Sequence, residues 1–243
     1  MTHVEFMGAP GVGKTSLWEQ LITHDECYGG VGDGALRRVF LEGTRTRYRL
    51  CYHLLPSSLQ RTFENELLRY RYRQRSLDAY LNDHTEFVET MCLLAHSVEQ
   101  DRSDITRWLL RDTARYELGR RTVTDGEVLC IDEGFMQRLF SIYWRDPDMQ
   151  LYRYIQSVTT PSLVIHVDAP PETALARQRS RGRVTADRSW EADEPRLVQR
   201  KIRRLCLDLE ATLSEETNVL HIDNIGETEP IVSEIRREIH RHV

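Results

Sequence analysis

Along this chain, short apolar runs alternate with longer stretches in which apolar positions recur every three or four residues. Val4, Phe6 and Met7 mark a strand over 2–7 that ends on glycine, and Leu17, Leu21 and Ile22 then recur at helical spacing. The pattern there predicts strand, loop, helix. Glycines at 29, 30, 32, 34 and 43 predict a turned connection, with a second short strand around 38–41. From 45 to 121 glycines are few and the period is helical, as in Phe87, Met91, Leu94, Ala95 and Val98, and again in Ile105, Trp108 and Leu109. Two apolar runs follow, 128–131 and 163–167, each closed by acidic residues, and both have the character of buried parallel strands. Helices are predicted over 171–181, opened by proline and broken at Gly182, and over 195–213. A last strand is expected at 219–222, and an amphipathic helix from 230 carries Ile231, Ile235 and Ile239 on one face.

Strands alternating with helices predict a three-layer α/β sandwich with a mostly parallel sheet. A length of 243 residues suits one domain over 1–243, with 45–121 as a helical insertion. No window approaches the roughly 18 apolar residues needed to span a bilayer, and the first residues form a strand instead of a signal peptide, so a soluble, cytoplasmic protein is expected. The net charge of -5 gives no general attraction to nucleic acid or to anionic membranes. The basic and aromatic run 69–75 could grip an anionic acceptor or a single nucleic-acid strand, but helical geometry spreads its arginines around the axis and favours a solvated surface, so nucleic acid is not an expected partner. A homodimer is compatible with the sequence. Cysteines at 27, 51, 92, 130 and 206 form no C-x-x-C pair and are expected as small buried hydrophobes.

Among 33 basic residues, lysine occurs only at Lys14 and Lys201. Lys14 belongs to Gly8-Ala9-Pro10-Gly11-Val12-Gly13-Lys14-Thr15, which fills every defined position of G-x-x-x-x-G-K-[ST] between a predicted strand and a predicted helix. In this P-loop pattern the glycines let backbone N–H groups turn around phosphates. The helix offers its positive end, and a compact ammonium reaches the β and γ oxygens where a planar guanidinium would not fit. Gly8, Gly11, Val12, Gly13, Lys14, Thr15 and Ser16 are therefore the predicted ATP contacts, and the Thr15 hydroxyl suits Mg²⁺.

Asp132 and Glu133 follow a buried strand, at the sheet edge where open α/β folds bind ligands. A carboxylate there can hold Mg²⁺ or take the proton of an attacking hydroxyl. Asp132 fits the metal position better and Glu133 the acceptor side, but the sequence leaves open which is the base. Asp168, ending the next strand, reads as a turn residue. Arg177, Arg179, Arg181 and Arg183, with Arg188 beyond, concentrate positive charge in a predicted lid over 177–190. Guanidinium groups that close over a transferring phosphoryl group spread its charge and exclude water.

These features resemble the nucleoside and nucleotide kinase branch of the P-loop kinases, most closely the thymidylate kinases. The similar stretches are 2–20 and 127–223, including Thr173-Ala174-Leu175-Ala176-Arg177-Gln178-Arg179-Ser180-Arg181-Gly182 and Asp187-Arg188. The resemblance implies a five-stranded parallel sheet, Mg·ATP as donor and a closing lid. It also implies adenine held between Arg177 and the loop 224–226, which adds Asn224 to the nucleotide contacts. The chain departs from those enzymes in two places. It carries Asp132-Glu133-Gly134 where they carry Asp-Arg-aromatic, and no Arg-Glu-Pro-Gly-Gly occurs between 31 and 43. A carboxylate in place of an acceptor-side arginine favours a hydroxyl-bearing acceptor such as a nucleoside, sugar or other small alcohol over thymidine monophosphate. The expected activity is γ-phosphoryl transfer from ATP to a small-molecule acceptor. The alternative is a P-loop NTPase acting as a regulatory or nucleic-acid-linked switch. No Asn-Lys-x-Asp or Leu-Ser-Gly-Gly-Gln motif assigns it to the GTPases or the transport ATPases.

Overall fold

The computed structural model describes residues 2–24, 28–30, 45–63, 69–97, 102–123, 127–143, 151–182 and 194–242. Its strands are β1 (Thr2–Met7), β2 (Tyr28–Gly30), β3 (Val128–Ile131), β4 (Leu163–Asp168) and β5 (Asn218–Asp223), in the spatial order β2-β3-β1-β4-β5. Every pairing is parallel. β1 is the central strand and both its neighbours follow it in the chain; the connection leaving β1 runs to β2 at one edge of the sheet and the connection leaving β4 runs to β5 at the other, so the sheet reverses its winding there. That is the topological switch point where open α/β sheets leave a crevice beyond the strand carboxyl ends.

The strands follow from their composition. β3 and β4 are buried throughout, as their continuous apolar runs require, whereas β5 lies at the sheet edge and is only partly covered. β1 alternates, with Val4 and Phe6 on one face and His3 and Glu5 on the other, all of them buried. β2 lies within the glycine-rich connection, at Tyr28–Gly30, and the strand expected around 38–41 falls outside the described residues. Paired to β3 by its backbone, that three-residue strand depends little on side-chain pattern, which is why periodicity did not find it.

The helices are α1 (Lys14–His24), α2 (Thr46–Leu54), α3 (Ser57–Thr62), α4 (Arg69–Asp83), α5 (Thr85–Ser97), α6 (Arg102–Thr122), α7 (Phe135–Tyr143), α8 (Leu151–Ser157), α9 (Pro171–Ser180), α10 (Pro195–Leu213) and α11 (Thr228–His242). α1 packs with α11, while α7 packs with α6 and α10 and lies against β1. Proline at the first turn starts both α9 and α10, where its missing N–H costs nothing, and Gly182 ends the α9 segment with φ +65°. α10 buries Val198, Ile202, Cys206, Leu209 and Leu213 at three- and four-residue spacing, and α11 buries Ile231, Val232, Ile235 and Ile239 in the same way. α11 begins two residues earlier than its apolar stripe suggested.

The helices of 45–121 join the sheet through an aromatic cluster. Tyr80 stacks on Phe135 at 5.8 Å and meets Phe87 and Tyr116 edge-on, and the Tyr154 hydroxyl donates to the Phe135 carbonyl at 3.0 Å. His3 reaches the same cluster at 4.8 Å from Tyr116. His84 sits in the break between α4 and α5, stacked on Tyr80. Cys130 and Cys206 are buried as expected, but Cys51 and Cys92 are exposed, because they fall on the outer faces of α2 and α5; Cys27 lies outside the described residues. The run 69–75 lies at the start of α4, and the side chains of 69–73 lie outside the description. No described helix is long and apolar enough to cross a membrane.

Leu129 is fully buried in β3. Leu129→Ala is expected to lower the unfolding free energy by about 2–5 kcal/mol, read as a lower urea midpoint at unchanged slope. A loss below about 1 kcal/mol would mean that β3 is not packed as described.

Candidate active site

Three of the predicted positions lie at the carboxyl edge of the sheet, because each follows a strand: Gly8 after β1, Asp132 after β3 and Asn224 after β5. The glycine-rich loop 8–13 joins β1 to α1, and Gly8, Gly11 and Gly13 all have positive φ. At Gly8 the need for glycine is severe. Its φ is +147°, and an added Cβ would stand 2.2 Å from the Val167 carbonyl oxygen, which belongs to the central sheet and cannot retreat.

Side chains from three directions hold the loop. The Gly8 amide donates to Gln137 Oε1 on α7 at 3.0 Å. The Pro10 carbonyl accepts from Gln178 Nε2 on α9 at 2.9 Å and from Gln199 Nε2 on α10 at 3.1 Å. The Val12 carbonyl accepts from Arg177 Nη1 at 2.9 Å and Asn224 Nδ2 at 2.7 Å. In a planar trans peptide the N–H points opposite to the C=O. Fixing the Pro10 and Val12 carbonyls toward these donors therefore turns the amides of Gly11 and Gly13 the other way, as an anion-binding nest requires.

Lys14 opens α1 and is nearly enclosed. Its Nζ donates to the carbonyls of Gly8 at 2.8 Å and Ala9 at 3.1 Å. Burial pushes this ammonium below its ordinary pKa, while the carboxylates of Glu133 and then Asp132 act in the opposite sense. The loop lysine and the acidic turn are thus within electrostatic reach of one another. Thr15 is exposed on the first turn of α1, and Ser16 Oγ is 3.3 Å from Arg181 Nη2.

Two arginines that the motifs did not indicate flank the acidic turn. Arg115 on α6 donates Nη2 to Asp132 Oδ1 at 2.8 Å and Nη1 to the Glu133 carbonyl at 3.4 Å. Arg138 on α7 lies 3.5 Å from Glu133 Oε2, pairs closely with buried Asp112 and sits over the Trp108 ring. The turn itself rests on Glu5, whose Oε2 accepts from the Met136 amide at 2.8 Å. A Cβ on Gly134 would come within 2.3 Å of the Glu5 carboxyl group, so the glycine of Asp-Glu-Gly makes room for a buried carboxylate.

The arginines of the predicted lid separate. Arg177 bridges the Val12 and Asn224 carbonyls, the latter through Nη2 at 3.0 Å, so its donors serve the loop. Arg181 reaches α1, Arg179 is exposed, and Arg183, Asp187 and Arg188 lie outside the described residues. Asp168 is buried and held by the Arg203 guanidinium at 2.6–2.9 Å, and its carbonyl accepts from the Asn224 amide at 2.8 Å. Its place is structural, as a strand-end residue suggested. Gln137, Gln178, Gln199, Arg115 and Arg138 were not found from the sequence. A glutamine at a buried helical position carries no motif, and arginines were too common to stand out. The one usable signal was Glu5, a carboxylate alternating into a strand that must be buried.

No protein-family model matches the chain, and no curated protein sequence matches it. Among solved structures, deoxyadenosine kinase from M. mycoides with bound dATP aligns at TM-score 0.50 and 12% identity, over 99% of this chain and 100% of that one. The same kinase with bound dCTP aligns at TM-score 0.47 and 11% identity with the same coverage. The chain shares the fold of the dATP-bound structure. At this identity the likeness establishes the fold alone, and it extends over the helices of 45–121 as well as the sheet.

Gly8→Ala is expected to destabilise the protein by more than about 1 kcal/mol, since alanine meets both the positive φ and the Val167 carbonyl. Gly226→Ala, where an added Cβ has nothing within 4 Å, is expected to stay within about 0.5 kcal/mol. Equal effects in thermal unfolding would contradict the described loop conformation.

Proposed function

We propose that the protein is an ATP-dependent kinase that transfers the γ-phosphoryl group to a hydroxyl of a small molecule, with a nucleoside as the first class to test. The observation that carries this reading is that the glycine-rich loop with Lys14 and the acidic turn Asp132-Glu133 follow the adjacent parallel strands β1 and β3 at the same carboxyl edge of the sheet. A donor-phosphate site and a proton-accepting site thereby share one crevice.

In this reading the amides of the loop and the N-terminus of α1 bind the triphosphate, and Lys14 exchanges the Gly8 and Ala9 carbonyls for β and γ oxygens. The Thr15 hydroxyl and the Asp132 carboxylate are the oxygen donors that would hold Mg²⁺, a hard cation that takes such ligands. Bound there, the ion would neutralise charge on the β and γ oxygens. Arg115 keeps Asp132 oriented through one carboxylate oxygen. Glu133, more exposed than Asp132, faces the crevice as the proton acceptor for the attacking hydroxyl. As the acceptor oxygen bonds to phosphorus, the bond to ADP breaks and the hydroxyl proton passes to Glu133. Arg181, beside Ser16, lies close enough to the loop to meet charge developing on the phosphoryl oxygens. Arg179 and Arg183 complete the proposed lid, and Arg177 with Asn224 forms the adenine side of the site.

Arg115 and Arg138 alter the acceptor side as the sequence presented it. With two guanidinium groups beside Asp132 and Glu133, the crevice is not simply acidic, and it can take an acceptor with several hydroxyl and amide groups. Nucleosides have that chemistry.

The test is ADP production by purified protein with ATP and Mg²⁺, alone and with panels of nucleosides, nucleotides, sugars and amino alcohols. ADP production that depends on an acceptor, with phosphorylated acceptor recovered in equal amount, is expected. Turnover that ignores the acceptor would replace the kinase by a hydrolytic switch. Lys14→Ala and Asp132→Asn are each expected to lower turnover at least ~100-fold. Unchanged turnover in Asp132→Asn would remove that residue from the mechanism.

A further inference from the structure

Away from the glycine-rich loop, the two edge-side strands carry a second set of chemically competent side chains. His166 pairs with His221 and Asp168 with Asp223 in the parallel register of β4 and β5. Two positions apart, these rungs present their side chains on one face of the sheet, the face covered by α10. Glu210 of α10 reaches between the histidines. Its Oε2 lies 2.5 Å from His166 Nδ1 and 2.9 Å from His221 Nδ1, and the rings stand 5.0 Å apart at 86°.

We propose that His166, His221 and Glu210 form a binding site for a divalent metal ion of the zinc class, ligated by the two Nδ1 atoms and a carboxylate oxygen of Glu210. One ligand atom from each residue already lies within 4.8 Å of the others. Tetrahedral zinc with bonds of about 2.0–2.1 Å sets its ligands about 3.3 Å apart, so the Glu210 contacts of 2.5 and 2.9 Å would open by less than about 1 Å to admit the ion. Two imidazoles and one carboxylate suit zinc, cobalt or nickel. Magnesium and calcium prefer an all-oxygen set.

With Nδ1 on the metal, His221 would leave Nε2 on the side of Asp223, whose Oδ1 lies 3.7 Å away, too far for a direct hydrogen bond. His166 is 1% exposed, and its Nε2 has no hydrogen-bond partner among the described residues. Both rings meet Glu210 through Nδ1, so the two nitrogens and the carboxylate oxygen already converge on a common centre. Asp168 is held by Arg203 and is left out of the ligand set, so water completes the tetrahedron on the partly exposed side of His221.

The ion would tie α10 to β4 and β5. α10 also carries Gln199, which holds the Pro10 carbonyl, so metal occupancy would stiffen one of the supports of the glycine-rich loop. The proposal does not depend on which reaction that loop serves. Protons compete for the same site. Metal affinity should fall as pH is lowered, because imidazole and carboxylate must be deprotonated to bind the ion.

The experiment is competition of chelator-stripped full-length protein against a chromophoric zinc chelator near neutral pH, followed by Co²⁺ loading. One tight equivalent of Zn²⁺ is expected, weakened at least ~10-fold in Glu210→Gln and in His221→Gln. Co²⁺-loaded protein should show visible bands of tetrahedral coordination without thiolate-to-cobalt charge transfer. Absence of a stoichiometric equivalent, equal affinity in Glu210→Gln and the unsubstituted protein, or a sulfur charge-transfer band from the exposed Cys51 or Cys92 would overturn the assignment. Should the substitutions impair folding, the cobalt spectrum of the unsubstituted protein decides alone.

Discussion

The Val12 carbonyl, held from one side by Arg177 and from the other by Asn224, is the contact on which the candidate site depends. It joins three elements distant in sequence: the loop after β1, the end of α9 and the turn after β5. Its orientation decides where the Gly13 amide points, and the glutamines on Pro10 do the same for Gly11. A glycine-rich loop is flexible by composition, because its residues lose more freedom on ordering than any others. These directed hydrogen bonds to carbonyls oppose that flexibility and select one shape before any anion arrives. Preorganised amides need little rearrangement when charge develops in front of them.

The second constraint is electrostatic. Lys14 is buried beside two carboxylates, and those carboxylates are themselves flanked by Arg115 and Arg138. Neither sign prevails across the crevice. Such alternation suits phosphoryl transfer, in which a highly anionic donor, a metal ion and a hydroxyl proton must be accommodated together. It rests on the buried Glu5 beneath Gly134, which fixes the acidic turn by accepting from the first turn of α7.

Where a local rule governed the backbone, the sequence was legible. The continuous apolar runs of β3 and β4 could only be buried parallel strands, proline at the first turn and glycine at the end bounded the α9 segment, and the loop motif placed Gly8 to Thr15 between β1 and α1. The site was legible only as far as chemistry is written in motifs. Lys14, Asp132 and Asn224 do meet at one edge. Arg115 reaches Asp132 from a helix seventeen residues earlier, and Gln137, Gln178 and Gln199 act by position alone; these are products of tertiary packing. β2 escaped because a short strand paired by backbone atoms leaves no periodic trace. Exposed Cys51 and Cys92 show the converse, a residue type whose usual burial gave way to the face its helix happened to present.

The central claim is that the loop is shaped for a polyphosphate and that Lys14 completes it. Calorimetric titration of ATP, ADP and AMP into the purified protein and into Lys14→Ala tests it most directly. The account expects ATP and ADP to bind far more tightly than AMP, with that preference collapsing in Lys14→Ala. Equal binding of all three nucleotides, or ATP affinity unchanged by Lys14→Ala, would contradict it.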